Sequence, residues 1–81
     1  MSADEVQGTV IEVMADALEI GQGQVDIDED MDKLGMDELA YMVVIMELEQ
    51  EMGISIPDRD VAYLETGREL VDYLQGRMRK D

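Results

Sequence analysis

The strongest constraint on the fold lies between Leu34 and Pro57, where the chain reads LGMDELAYMVVIMELEQEMGISIP. The spacing predicts a helix of about four turns from Glu38 to Met52, with a physical reason to stop at each end. Asp37 suits the N-cap, because its carboxylate accepts a bond from an otherwise orphan amide of the first turn, and Glu38 then sits where the helix dipole favours an anion. Gly53 suits the other end, where a left-handed residue closes a helix, and Ile54-Ser55-Ile56-Pro57 cannot easily continue it. Leu39, Met42, Val43, Met46 and Leu48 or Glu49 fall on successive turns. Ala40, Tyr41, Val44 and Ile45 fill much of the remaining circumference, so the first half either is buried all round or shows an apolar patch to solvent. The second half turns acidic at Glu47, Glu49 and Glu51.

The flanking segments also read as helices. Ser2 and Glu5 form a capping box ahead of a helix expected from Ala3 to about Ile20. Its residues Val6, Val10, Val13, Met14, Ala17 and Leu18 make one stripe, Gly8 weakens it locally, and Gly21 and Gly23 flank its stop. From Gln22 to Met36 the helical period is lost, and Val25, Ile27, Met31 and Leu34 are set among Asp26, Asp28, Glu29, Asp30 and Asp32. With no partner strand elsewhere, this is a long loop pinned to the bundle by its apolar residues. A short helix is expected from Pro57 to Leu64, with Pro57 near its first position and Asp58 and Asp60 in its first turn. The last helix begins at Thr66, which forms a second capping box with Glu69. Leu70, Val71, Leu74 and Met78 make its stripe, and Arg77, Arg79 and Lys80 lie at its C-terminal end, where cations suit the dipole. Together these segments predict an all-α fold, a small four-helix bundle with a long first loop and a short third helix, in which residues 1–81 form one domain.

Composition narrows the function classes. There is no Cys for disulfides and no His for the commonest metal site, so stability has to come from packing. Without those residues an enzyme is not expected, and the hydroxyls Ser2, Thr9, Ser55 and Thr66 read as caps, surface or turn residues. The formal charge of −15 repels nucleic acid and anionic lipid. It favours partners with a basic patch or bound cations, although acids also serve solubility alone. No apolar run is long enough to span a bilayer and no signal segment opens the chain, so a cytoplasmic protein without membrane insertion is expected. Eight Met with no Phe or Trp make an adaptable core, which suits a cavity that opens or several partners, but also ordinary packing. Asp26, Asp28, Asp30 and Asp32 alternate as in a calcium loop, yet Met31 and Asp37 stand where such a loop wants Gly and a bidentate Glu. No specific metal site is expected there; loose divalent-ion binding and a plain solvated loop both stay open.

The Leu34 to Pro57 block also resembles the region of acyl carrier proteins in which an Asp-Ser-Leu triplet opens the second helix and the serine hydroxyl carries a phosphopantetheine arm. The matching triplet is Asp37-Glu38-Leu39, and the match continues through Leu34-Gly35, Glu47-Leu48-Glu49, Glu51 and Ile56-Pro57-Asp58. The resemblance covers nearly the whole chain and implies the same bundle with a long ordered first loop. It puts Asp37, Glu38 and Leu39 at the cofactor position, but a carboxylate cannot replace an alcohol as acceptor of the phosphodiester. Phosphopantetheine is therefore expected in the family and not on Glu38. Family members dock on basic patches of partner enzymes through acids on the second helix. The earlier of those positions match Ala40 and Val43 here, while Glu47, Glu49 and Glu51 survive. Met36, Ala40, Tyr41 and Val43 all depart from the usual pattern, which favours divergence over loss of the serine alone.

The leading expectation is a monomeric binding module of fatty-acid or polyketide-type biosynthesis, docking through the face around Glu38, Tyr41, Val44, Glu47 and Glu51. One alternative is an ordinary carrier whose attachment serine is replaced by Glu38 and which shuttles thioesters in a Met-lined core. Another is a small acidic interaction protein unrelated to acyl transfer. Glu38 itself reads either as a good first-turn residue or as a permanent charge near the family's phosphate position.

Overall fold

Three side-chain caps set where the long helices begin in the computed structural model, which describes residues 2–79. The Ser2 hydroxyl accepts from the Glu5 N–H, and the Glu5 carboxylate accepts in return from the Ser2 N–H, both at 3.2 Å. Those bonds hold the Glu5 carboxyl below its usual range. The Asp37 carboxylate accepts from the Ala40 N–H at 2.8 Å. Thr66 and Glu69 form the second reciprocal box at 3.1 and 3.2 Å. The resulting order is α1 (Ala3–Leu18), a single 3-10 turn (Gln22–Gln24), α2 (Glu38–Met52), α3 (Asp58–Val61) and α4 (Gly67–Met78). This is the all-α four-helix bundle that the sequence predicts, with the long first loop and the short third helix.

α1 packs against α2 and α4. The core is drawn from Val6, Val10, Val13 and Met14 of α1, Val44, Ile45, Leu48 and Met52 of α2, and Leu70, Val71 and Leu74 of α4. Met31, Met36 and Ile56 complete it from the connections and Val61 from α3, and no polar or charged residue among those described is buried. The loop between α1 and α2 is pinned as expected, with Ile27 and Met31 buried and Val25 and Leu34 half-buried. Backbone bonds add to this: Met31 N–H donates to Glu65 C=O at 2.8 Å and Arg68 N–H to Ile27 C=O at 2.7 Å. An isolated antiparallel bridge between Asp30 and Thr66 is the only β pairing among the described residues.

Three boundaries and one face differ from expectation. α1 stops at Leu18 and its left-handed closing residue is Glu19 at φ 58°, not a glycine. The Ile20 N–H then reaches Ala15 C=O at 3.0 Å while Ile20 itself is half-buried. The left-handed conformation costs a residue with a side chain about 1–2 kcal/mol, and the bond from Ile20 satisfies a carbonyl at the helix end in return. α3 is only Asp58–Val61, and Pro57 is its extended N-cap rather than its first helical residue. The chain must turn after Val61 to bring Glu65 to Met31, so the helix cannot run on to Leu64. In α2 the residues Leu39, Met42, Val43 and Met46 are exposed, whereas Val44, Ile45, Leu48 and Met52 face the core. The patch alternative is the one realised. At the end of α4, Arg77 and Arg79 are exposed; Lys80, expected beside them, lies outside the described residues. No helix among the described residues is long and apolar enough to cross a membrane.

Candidate functional site

The start of α2 is the point where the chain concentrates charge beside open space. The Asp37 cap orients the first turn and leaves Glu38 and Leu39 exposed next to it. Two hollows meet here, sharing Glu38, Tyr41 and Ala62. The first, of about 470 Å³, is acidic, with Asp30, Asp32, Asp37, Glu38 and Glu65 in its wall beside Tyr63. The second is an apolar groove of about 330 Å³ between α2 and α3, lined by Met42, Ile45, Met46, Ile56 and Val61.

Tyr41 is the partition between the two. Its hydroxyl donates to Val61 C=O at 2.8 Å and ties α2 to α3. Burial, assisted by the negative charge of Glu69, pushes its phenol up to about 12. The far side of α3 is held by a second set of polar contacts. Tyr73 donates to Asp60 at 2.7 Å, and Arg77 donates both to the Tyr73 hydroxyl at 2.8 Å and to Ser55 C=O at 2.7 Å. The Arg77 guanidinium also lies 5.9 Å from the centre of the Tyr73 ring. Loss of water around Tyr73 and the adjoining Asp60 carboxylate raise its phenol above the ordinary range, against the pull of Arg77. Glu49 accepts from Ile56 N–H at 2.7 Å and fastens the turn before α3 to α2.

The residues singled out in sequence fall into three groups. Asp37, Glu38 and Leu39 are together and exposed, as a helix start requires. The expected docking set does not form one exposed face. Val44 is fully buried, because it lies one turn from Leu48 on the side that meets α1, so it cannot touch a partner in this fold. Tyr41 is half-buried and its hydroxyl is committed to Val61. Glu47 and Glu51 share one edge of the helix and Glu38 stands on the other. What sequence reasoning missed is that the exposed apolar residues lie opposite the core. The signal was available in Leu48 and Met52, which continue the Val44–Ile45 side and not the Leu39–Met46 side.

In the acidic loop, two carboxylates close local turns. Asp26 accepts from Asp28 N–H at 3.0 Å and Asp30 from Asp32 N–H at 2.9 Å. Asp28 pairs with Arg68 at 3.0 Å, which holds the Asp28 carboxyl below its usual range and raises the guanidinium. No group of three or more acids among the described residues converges as a metal site. The hydroxyls are dispersed: Ser2 and Thr66 cap helices, Thr9 donates to Glu5 C=O at 2.9 Å, and Ser55 is exposed in the turn before α3.

Comparison with known proteins bears on this same region. The family described as "Phosphopantetheine attachment site" matches residues 8–74. An acyl carrier protein of Chloroherpeton thalassium is 33% identical over 75 residues, spanning 91% of this chain and 94% of its own length.

Proposed function

Because the chain belongs to the acyl carrier protein family, whose members are carriers and not enzymes, we propose that it is a carrier-derived module that docks on enzymes of acyl-chain biosynthesis without bearing phosphopantetheine at residue 38. The observation that carries this reading is the exposed Glu38 carboxylate in the first turn of α2, at the mouth of the apolar groove. A phosphodiester to the pantetheine arm forms on an alcohol oxygen, and the residues at this mouth do not fit that chemistry. The hydroxyl that lines the groove, that of Tyr41, donates to Val61 C=O. Asp37 and Leu39 flank Glu38 at the positions that match the family's attachment triplet. The acids Glu38, Glu47 and Glu51 suit partners with basic patches, and the charge of −15 opposes self-association, in keeping with a monomer.

The second reading, an ordinary carrier with Glu38 in place of its serine, has its own support. The groove beginning at Glu38 is apolar, and its 330 Å³ falls within the usual range of small-molecule pockets. Family membership favours both of these over the third, a small acidic interaction protein unrelated to acyl transfer. Intact mass after incubation with coenzyme A and a promiscuous phosphopantetheinyl transferase tests the proposal, with the protein and Glu38→Ser run side by side. Only the Ser variant should gain the arm. If the unaltered protein is loaded, another hydroxyl is the acceptor and the proposal fails. If neither is loaded, the surface read by the transferase has diverged as well, which favours the dedicated module over the second reading.

A further inference from the structure

Oxidisable sulfur is distributed unevenly in this chain. There is no cysteine, so no thiol intercepts an oxidant first, and eight methionines carry all the sulfur. Met14, Met31, Met36 and Met52 are buried, at 0%, 4%, 3% and 9% exposure, whereas Met42 and Met46 stand at 52% and 55%. These two are the exposed methionines among the described residues; Met78 is half-buried at the end of α4. Both line the apolar groove between α2 and α3, one helical turn apart on the same face. We propose that Met42 and Met46 form a reversible, peroxide-sensitive pair, whose conversion to methionine sulfoxide turns the wall of the groove polar and leaves the fold intact. The inference concerns the groove and not the chemistry of residue 38, so it stands under either reading of the function above.

The co-reactant is a peroxide. One of its oxygens passes to the thioether sulfur, the O–O bond breaks as the S–O bond forms, and water leaves; the sulfur gives up two electrons and the peroxide takes them. Methionine sulfoxide reductases reverse the step, removing the oxygen as water with two electrons from a dithiol that closes to a disulfide. The sulfoxide oxygen is a strong acceptor, and the groove has nothing to donate to it. Its charged lining is acidic at Glu38, Glu49 and Asp58, and the Tyr41 hydroxyl already donates to Val61 C=O. An oxidised side chain therefore either sets an unpaired oxygen against Ile56 and Val61 or turns out to water and leaves the groove without that wall. Both outcomes remove apolar lining. The core is untouched, because Val44 and Leu48 fill it from the other side of α2 and neither Met42 nor Met46 belongs to it.

Limiting hydrogen peroxide added to the folded full chain, with peptide mapping by mass spectrometry, tests the pair. Met42 and Met46 should each gain one oxygen at least about tenfold faster than Met14, Met31 and Met36, whose sulfurs are reached only when the fold opens. Circular dichroism at that stage should show the helices retained. Fluorescence of Nile red, a neutral apolar probe, should report binding about tenfold weaker after oxidation. Treatment with the two sulfoxide reductases, one for each sulfoxide epimer, and dithiothreitol should restore it. Met42→Leu with Met46→Leu should bind the probe as the unaltered protein does and keep its affinity through peroxide, whereas Met42→Gln with Met46→Gln should bind weakly without any oxidant. Similar oxidation rates at buried and exposed methionines, or loss of helix on oxidation of the pair, would overturn the proposal. So would a failure of the untreated protein to bind Nile red, an affinity that peroxide leaves unchanged, or one that falls equally in the double Leu variant. No coenzyme A or transferase is present, so this result is independent of the mass experiment on Glu38→Ser.

Discussion

A methyl group added at Gly67 would lie 3.1 Å from the Met14 sulfur and 3.2 Å from Ile27 Cβ, whereas one added at Gly8 meets nothing within 4 Å. Met14 is fully buried, and the backbone of Ile27 is held by the Arg68 N–H at 2.7 Å, so neither neighbour can yield freely. Gly67→Ala should therefore destabilise the fold by about 1–3 kcal/mol. Gly8→Ala should stabilise it by about 0.5–1 kcal/mol, because an exposed helix interior gains propensity at no steric cost. Urea unfolding of both variants checks the pair, and equal effects would mean that α4 can shift away from the loop. Tyr41 offers a second residue-scale prediction. Its phenol ionises near 12 in the folded chain and at about 10 when unfolded. The folded state holds the proton longer, so this contribution is fully present below about pH 10 and is lost as pH rises toward 12. Phenol absorbance should show a component titrating near 12, and Tyr41→Phe should remove both that component and part of the alkaline loss of stability. At neutral pH the same variant should cost about 0.5–1.5 kcal/mol for the bond to Val61.

Among the elements, α3 depends most on its neighbours. Four residues cannot form a stable helix alone, because nucleation costs more than so few bonds return. It persists through the burial of Val61, the Tyr41 bond on one side, and the Asp60–Tyr73–Arg77 chain on the other. Tyr73→Phe cuts that chain in the middle while leaving the ring in place. Amide exchange should then speed up across Asp58–Val61 and the turn at Ser55, with α1 and the core of α4 unchanged. Unchanged protection at Asp58–Val61 would show that Val61 and Tyr41 suffice to hold α3. The contrast with α2 is instructive. That helix has its own cap at Asp37 and its own left-handed stop at Gly53, and so it tolerates an exposed apolar stripe without losing its ends.

At the scale of the whole molecule, 21 acids against 6 basic residues are held within a radius of gyration of 11.6 Å. The Arg68–Asp28 pair is the only ion pair among the described residues, and as an exposed pair it contributes little. Repulsion is therefore largely unrelieved. The screening length falls from about 30 Å at 0.01 M salt to about 10 Å at 0.1 M, that is, from nearly the full length of the molecule to less than half of it. The longest principal dimension is 35 Å. The melting temperature should rise over that range of salt, and rise further with magnesium. A flat response would mean that the charges are too dispersed to act together.

What the sequence determined by itself is local. The caps at Ser2, Asp37 and Thr66 and the stop at Gly53 each satisfy backbone groups within four residues, so their chemistry is complete in the text of the chain. The stripes of α1 and α4 were equally legible, since only one side of each is apolar. So was the position of Asp37, Glu38 and Leu39 at the head of α2. The tertiary structure decided what local physics left balanced. The first half of α2 is apolar all round, and only the packing of Val44 and Leu48 into the core settled that Leu39, Met42, Val43 and Met46 would meet water. The left-handed closing residue of α1 is Glu19, and the bond from Ile20 N–H to Ala15 C=O completes that stop without any glycine. The contacts of Tyr41 with Val61 and of Tyr73 with Asp60 join residues 20 and 13 positions apart, and with the burial of Val61 they hold the α3 wall of the groove.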